Sequence, residues 1–142
     1  MWDELQKGVS NRLMTNANLV TLIGDRYYPT YIPTDIIFPY ISSDEETPSE
    51  GWSTLGQKYK GELIFFPFKI WCDLRNGGPK TVNAIGKEIK TLFDWDMGGL
   101  TVSGFNVEGV RRTFDTNTLK SRDQDDLFFR VMRYEIRLRE VD

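Results

Sequence analysis

Asp126-Leu127-Phe128-Phe129-Arg130-Val131-Met132-Arg133-Tyr134-Glu135-Ile136-Arg137-Leu138-Arg139 is the stretch that decides the fold. Phe128, Met132, Tyr134, Ile136 and Leu138 fall on one side of an extended chain, and Arg133, Glu135, Arg137 and Arg139 on the other. Successive side chains of a strand point to opposite faces, so alternation over this length predicts a strand with one buried and one charged face. A second long strand is predicted over Glu62–Asp73, which is rich in aromatic and β-branched residues. Phe66, Phe68, Ile70 and Cys72 share one of its faces, and Phe65, Lys69, Trp71 and Asp73 the other. Aromatics stand on both faces, so both are expected to be at least partly covered. Cys72 reads as a small buried hydrophobe, since no base accompanies it.

The segments around these strands follow from spacing. Val82, Ile85, Ile89, Leu92 and Phe93 recur at helical intervals and predict a helix over 79–93, with Lys80, Lys87, Glu88 and Lys90 exposed. The turn Arg75-Asn76-Gly77-Gly78-Pro79 opens it, and Asp94-Trp95-Asp96-Met97-Gly98-Gly99 ends it. Leu100–Val107 alternates and predicts a third strand extending towards Phe114, with Gly104 and Gly109 as bend or bulge sites. Residues 115–125 are polar and turn-like. At the other end, Trp2, Leu5, Val9 and Leu13 form one face of an amphipathic helix over 2–16, and Leu19–Ile23 forms a helical turn stopped by Gly24. Pro29 and Pro33 exclude regular helix from 25–33, which reads as a packed extended connection. A first strand is predicted over Phe38–Asp44. Residues 45–61 carry three glycines and a proline with little periodicity. A loop of that length inside a compact domain is uncommon; it is either a hairpin tip or a segment that projects into a partner or a lumen. Trp52 and Leu55 within it hint at a covering surface. The expected architecture is a single α+β domain over 1–142: a mainly antiparallel four-stranded sheet with two helices packed on one face. The element order is α-β-β-α-β-β, with the long loop between the first two strands.

Composition narrows the chemistry. The 142 residues include one cysteine and no histidine, and the formal net charge is −3. Histidine is the usual base near neutral pH and the commonest metal ligand, so Ser-His-Asp, Cys-His and Cys/His zinc sites are excluded. Carboxylate- and lysine-based enzymes survive, as do proteins that do no chemistry. No apolar run approaches a membrane span, and the acidic start Met1-Trp2-Asp3-Glu4 is unlike a secretory leader; a cytoplasmic fold is the simple expectation. The charge is uneven: residues 1–60 carry −3, residues 61–110 carry −1 and residues 111–142 carry +1. No segment is basic enough for a sequence-independent DNA clamp.

Three kinds of residue cluster are candidates for chemistry. Asp94 and Asp96, or Asp123, Asp125 and Asp126, offer paired carboxylates that could hold Mg²⁺, but neither set has calcium-loop spacing and solvated turns explain both. Gly77-Gly78-Pro79-Lys80-Thr81 lacks the earlier glycine of a phosphate loop. The basic set of Arg111, Arg112, Arg122, Arg130, Arg133, Arg137 and Arg139 reads as a solvated sheet face or a charged subunit interface. Aromatics on the last strand are expected to alternate away from these arginines, leaving no stacking platform for nucleic acid.

Read in order, Leu22-Ile23-Gly24-Asp25-Arg26-Tyr27-Tyr28-Pro29, then Phe38-Pro39-Tyr40-Ile41, a polar loop, the strand ending Ile70-Trp71-Cys72-Asp73, an amphipathic helix and a closing hairpin resemble the tail-completion (tail-terminator) family of long-tailed bacteriophages. The resemblance covers most of the chain, which departs from the pattern in the length of 45–61 and the polarity of 115–125. It implies a hexameric ring of this protein that caps the tail tube at its head-proximal end, stops polymerisation and meets the head-side connector or neck protein. DNA would pass through the lumen without specific binding. The virion, with assembly in the bacterial host cytoplasm, is the implied location, with no cofactor and no catalytic residues; another neck or head-closure part is the neighbouring alternative, and a Mg²⁺-dependent enzyme using Asp94 and Asp96 a remoter one. Within such a ring, Asp44, Glu45, Glu46, Glu50 and Trp52 are expected to line the lumen, where negative charge repels DNA. Arg111, Arg112, Arg130, Arg133, Arg137 and Arg139 are expected at subunit or tube contacts.

Overall fold

The computed structural model describes residues 2–43, 50–53, 60–94 and 99–141, with residues 2, 50–53 and 60 described by backbone alone. In chain order the elements are α1 (Trp2–Met14), α2 (Ala17–Ile23), β1 (Tyr27–Tyr28), β2 (Tyr40–Ser42), β3 (Glu50–Ser53), β4 (Lys60–Asp73), a 3-10 turn (Leu74–Asn76), α3 (Gly78–Phe93), β5 (Phe105–Asp115), β6 (Leu119–Lys120) and β7 (Leu127–Glu140). The two strands read most strongly from the sequence form the centre of the sheet. β4 and β7 pair antiparallel without interruption from Gly61 opposite Arg139 to Asp73 opposite Leu127. A broken strand flanks each: β2 and β3 share the free edge of β4, and β5 and β6 share the free edge of β7. β1 lies parallel to β2.

The α+β class and the placement of the long elements agree with expectation, but among the described residues the sheet is mixed and seven-stranded, and α2 is a third α-helix. The extra strands are two to four residues long, too short for a period of two to register. The first helix is shorter than expected because Asn16 caps α2, its side chain accepting a hydrogen bond from the Leu19 N–H at 3.0 Å. The segment 45–61 contains β3, paired with the start of β4 as a hairpin arm.

One core lies between the sheet and the helices. Ile64, Phe66, Phe68, Ile70 and Cys72 of β4 and Met132, Tyr134, Ile136 and Leu138 of β7 meet Leu5, Val9 and Leu13 of α1, Leu19 and Ile23 of α2, and Val82, Ile85, Ile89, Leu92 and Phe93 of α3. Cys72 is fully buried, and burial pushes its thiol pKa up, so it is the inert hydrophobe its surroundings in sequence suggested.

The third strand begins later than expected. Leu100 and Val102 are buried, yet the ladder starts only at Phe105, after Gly104 takes a φ of 84°. The alternation of 100–103 comes from packing against α1, not from sheet pairing. Gly8 makes that packing possible: a Cβ there would collide with the Thr101 carbonyl oxygen. Backbone cannot rotate away as a side chain can. Gly8→Ala is therefore expected to destabilise the fold by about 1–3 kcal/mol despite alanine's better helix propensity, read as a lower urea midpoint; an unchanged or higher midpoint would mean that the segment yields freely.

β5 carries two extra residues relative to β7. The register steps from Val107 opposite Leu138 to Gly109 opposite Arg137, and from Arg112 opposite Tyr134 to Phe114 opposite Arg133. Glu108 and Thr113 are the unmatched residues, and each such bulge reverses which face the following residue takes. As a result Val107, Val110, Arg112 and Asp115 stand across from the core-facing Leu138, Ile136, Tyr134 and Met132.

Candidate functional site

The face of the sheet turned away from the helices has no helical cover among the described residues, and it carries most of the singled-out arginines. Arg111, Phe114, Arg133, Glu135, Arg137 and Arg139 share it through the β5–β7 register, and Leu63, Phe65, Lys69 and Trp71 continue it across β4. Glu135 is its electrostatic centre. The carboxylate, buried between two guanidinium groups, accepts from Arg111 Nη2 at 2.7 Å and from Arg137 Nε at 3.2 Å. Those hydrogen bonds, led by the one from Arg111, outweigh desolvation and hold its pKa below the ordinary glutamate value. Arg139 pairs with Glu108 at 2.7 Å, so the residue left over by the first bulge supplies a counter-charge.

Aromatics do stand beside these arginines, contrary to the expected alternation: Phe129 lies on this face, stacked on Trp71 with centroids 5.3 Å apart, and Arg133 sits over the Phe114 ring at 5.3 Å. The rings of Trp71 and Phe129 face each other, and one face of Phe114 meets Arg133. With Leu119 and Phe114 both exposed at the same end, the mixture of aromatic, aliphatic and arginine side chains matches the composition of protein–protein contact surfaces.

Arg112 and Arg130 lie on the helix side instead. Arg130 is 5% exposed. It grips Asp115 with two bonds, Nε to Oδ1 at 2.9 Å and Nη2 to Oδ2 at 2.6 Å. Arg112 Nη1 donates to the same carboxylate at 3.3 Å, and its Nη2 stands 3.6 Å from Asp94. Tyr134 donates its hydroxyl proton to Asp94 at 2.6 Å. The end of α3 is thus tied to β5 and β7. Gly86 of α3 leaves the room: a Cβ there would strike the Arg130 guanidinium. Burial, then the Asp94 contact, pushes the Tyr134 hydroxyl pKa well up. For Asp115, desolvation raises the pKa, but the bonds from Arg130 and the Asn117 N–H with the charges of Arg130 and Lys90 prevail and leave it lowered.

Of the acidic set, Asp44, Glu45 and Glu46 lie outside the described residues, as does Asp96. Glu50 and Trp52 fall on β3, and the register brings them to the arginine end of the sheet. Glu50 is opposite Leu63, which is opposite Arg137; Trp52 is opposite Gly61, which is opposite Arg139. The carboxylate of Asp94 is engaged by Tyr134 and Arg112, and among the described residues no three His, Cys, Asp or Glu side chains gather to hold a metal. Asp123, Asp125 and Asp126 are exposed, with Asp125 3.8 Å from Lys120. Gly77–Thr81 is a turn and the start of α3. Glu135 and Asp115, the carboxylates that organise the two arginine clusters, were not singled out from the sequence. Glu135 could have been, as the lone acid alternating among arginines; Asp115 could not, since its face depends on the second bulge.

No helix among the described residues is long and apolar enough to cross a membrane. No protein-family model matches the chain, and no curated protein matches it. Among solved structures it is similar to a chain from the virion of a native gene transfer agent particle, with a TM-score of 0.75, 18% identity, and coverage of 95% of this chain and 94% of that one. At that identity the likeness is one of fold.

Proposed function

We propose that the chain is a structural, non-enzymatic virion protein of a phage-like particle. In this reading it forms a hexameric ring at the head-proximal end of the tail tube, ends tail polymerisation and joins the tail to the head-side connector. The observation that carries this is the near end-to-end likeness to a chain of a gene transfer agent virion. The tail-completion-like order of motifs from Leu22 to Leu138 supports the specific role. The sheet face that no described helix covers supports assembly: Arg111, Arg133, Arg137 and Arg139 with Trp71 and Phe129 make a surface suited to subunit or tube contact. The tail tube protein, the connector and DNA passing through the ring without specific binding are the partners in this reading. It places the protein at the neck of the particle, assembled in the host cytoplasm.

Native mass spectrometry and negative-stain imaging of the purified protein test the ring, and the tails of particles made without the protein test the role. Six-fold rings and overlong tails that fail to join heads are expected. A protein that stays monomeric beside tubes of normal length would overturn the reading, and a Mg²⁺-dependent rise in melting temperature would argue for a specific metal site instead.

A further inference from the structure

We infer that the segment 30–37 of one copy docks on the outer sheet face of a second copy, with Asp35 meeting Arg133 and with Tyr31 and Ile37 packing beside that pair. The inference rests on the ring reading and specifies its joint.

Arg133 differs from the other arginines of the outer face. Arg111 and Arg137 share Glu135, and Arg139 has Glu108. Arg133 stands between Pro67 of β4 and Phe114 of β5, and neither side chain offers a hydrogen-bond acceptor. Its guanidinium lies over the Phe114 ring. Its Nε is closed off from solvent, and no described group accepts a hydrogen bond from it. A shielded donor without an acceptor is costly. A carboxylate would answer both that donor and the positive charge.

Segment 30–37 carries the complementary chemistry. It belongs to the connection from β1 to β2, at the opposite end of the sheet order from β5. Tyr31 is 72% exposed and Ile37 63%, more than any other large apolar side chain among the described residues. Asp35 lies between them in sequence, is exposed, and pairs with no described cation. Singly exposed apolar residues are ordinary; two of them flanking an unpaired carboxylate make a contact patch. The connection is anchored at both ends. The Pro29 carbonyl accepts from Gln6 Nε2 at 3.4 Å, and the Pro39 carbonyl from Arg26 Nε at 2.9 Å. Pro33 restricts the chain between them, so docking orders little that is not already held. Within one copy Asp35 and Arg133 do not meet. The connection rejoins the sheet at Tyr40, opposite Trp71 and through it Phe129. Arg133 lies two strands across and four residues along from Tyr40, about 16 Å away. Because the segment and the face differ, their contact is heterologous and generates a ring when the rotation closes. An ion pair in open water contributes little. This one would be enclosed between the sheet face and the apolar side chains, where pairing is stronger.

Three variants test this, Asp35→Lys, Arg133→Glu and Y31S/I37S, each checked for native secondary structure by circular dichroism. Each alone is expected to raise the concentration needed for ring assembly at least tenfold. An equimolar mixture of Asp35→Lys and Arg133→Glu is expected to restore assembly, with native mass spectrometry finding equal numbers of both in the ring. If Arg133→Glu does not fold, Arg133→Gln takes its place and is expected to weaken assembly without rescue by Asp35→Lys. Rings that form as well from any one of the three variants as from wild type would overturn the joint, leave the ring reading intact and free this face for the tail tube protein. Rescue only when both charge changes share one chain would place the pairing within a copy and equally overturn it. A wild-type protein that forms no ring would remove the ring reading and this joint together.

Discussion

Arg130→Ala is expected to lower folding stability by about 3–5 kcal/mol, the range for removing one partner of a buried ion pair. The guanidinium is nearly inaccessible, and its two short bonds to Asp115 are geometrically matched. Truncation leaves Asp115 with Arg112 at 3.3 Å and Lys90 at 4.0 Å, which places the expected loss nearer the lower end. It also opens the space that Gly86 reserves on α3. Urea denaturation reads the effect as a fall in midpoint. R130M/D115N, which removes both charges while keeping bulk, is expected to be more stable than Arg130→Ala, because no carboxylate is left uncompensated; a double variant as weak as the single one would show that packing, not charge, is at stake. The same pair predicts an acid response. The Asp115 pKa is lower folded than unfolded, so its contribution is complete above the unfolded value, about pH 4, and is lost as pH falls through the folded value. Wild-type stability is expected to decline below about pH 4, and more steeply than that of Arg130→Ala.

Phe68→Ala is expected to cost about as much, roughly 3–5 kcal/mol, by a different mechanism. Phe68 is fully buried at the centre of β4, with its ring 5.4 Å from Phe66, 5.1 Å from Phe93 and 5.8 Å from Tyr134. These neighbours come from β4, α3 and β7, whose regular hydrogen bonding keeps them from collapsing into the vacated space. The loss combines lost burial with a residual cavity, and Phe68→Leu is expected to recover much of it. A urea midpoint within experimental error of wild type for Phe68→Ala would mean that the helix layer closes onto the sheet far more readily than a close-packed interior allows.

The long elements were legible because their patterns repeat. β7 spans Leu127–Glu140 against an expected 126–139, and α3 spans Gly78–Phe93 against 79–93. Fourteen residues of alternation, or four turns of helical spacing, leave little room for another reading. β1, β2, β3 and β6 escaped or were misjudged in extent because strands of two to four residues depend on neighbours distant in sequence. In the candidate site, the arginine face of β7, with Phe129, could be read from its own alternation, whereas Trp71 and Phe114 join it only through the register with β4 and β5.

The sequence by itself determined the α+β class, the two central strands, the core-facing residues of β7 and the chemistry that the absence of histidine excludes. All of these are local properties, carried by periodicity and residue type. The tertiary structure alone decided which arginines serve a surface and which serve the core. Arg111 and Arg112 are adjacent in sequence, yet one reaches Glu135 on the outer face and the other Asp115 and Asp94 beneath the helices. The unmatched Glu108 sets which of the two faces inward, and the unmatched Thr113 turns Asp115 to the same inner side, since each bulge reverses the parity of everything after it. A bulge is a relation between two strands, and no single strand's pattern contains it.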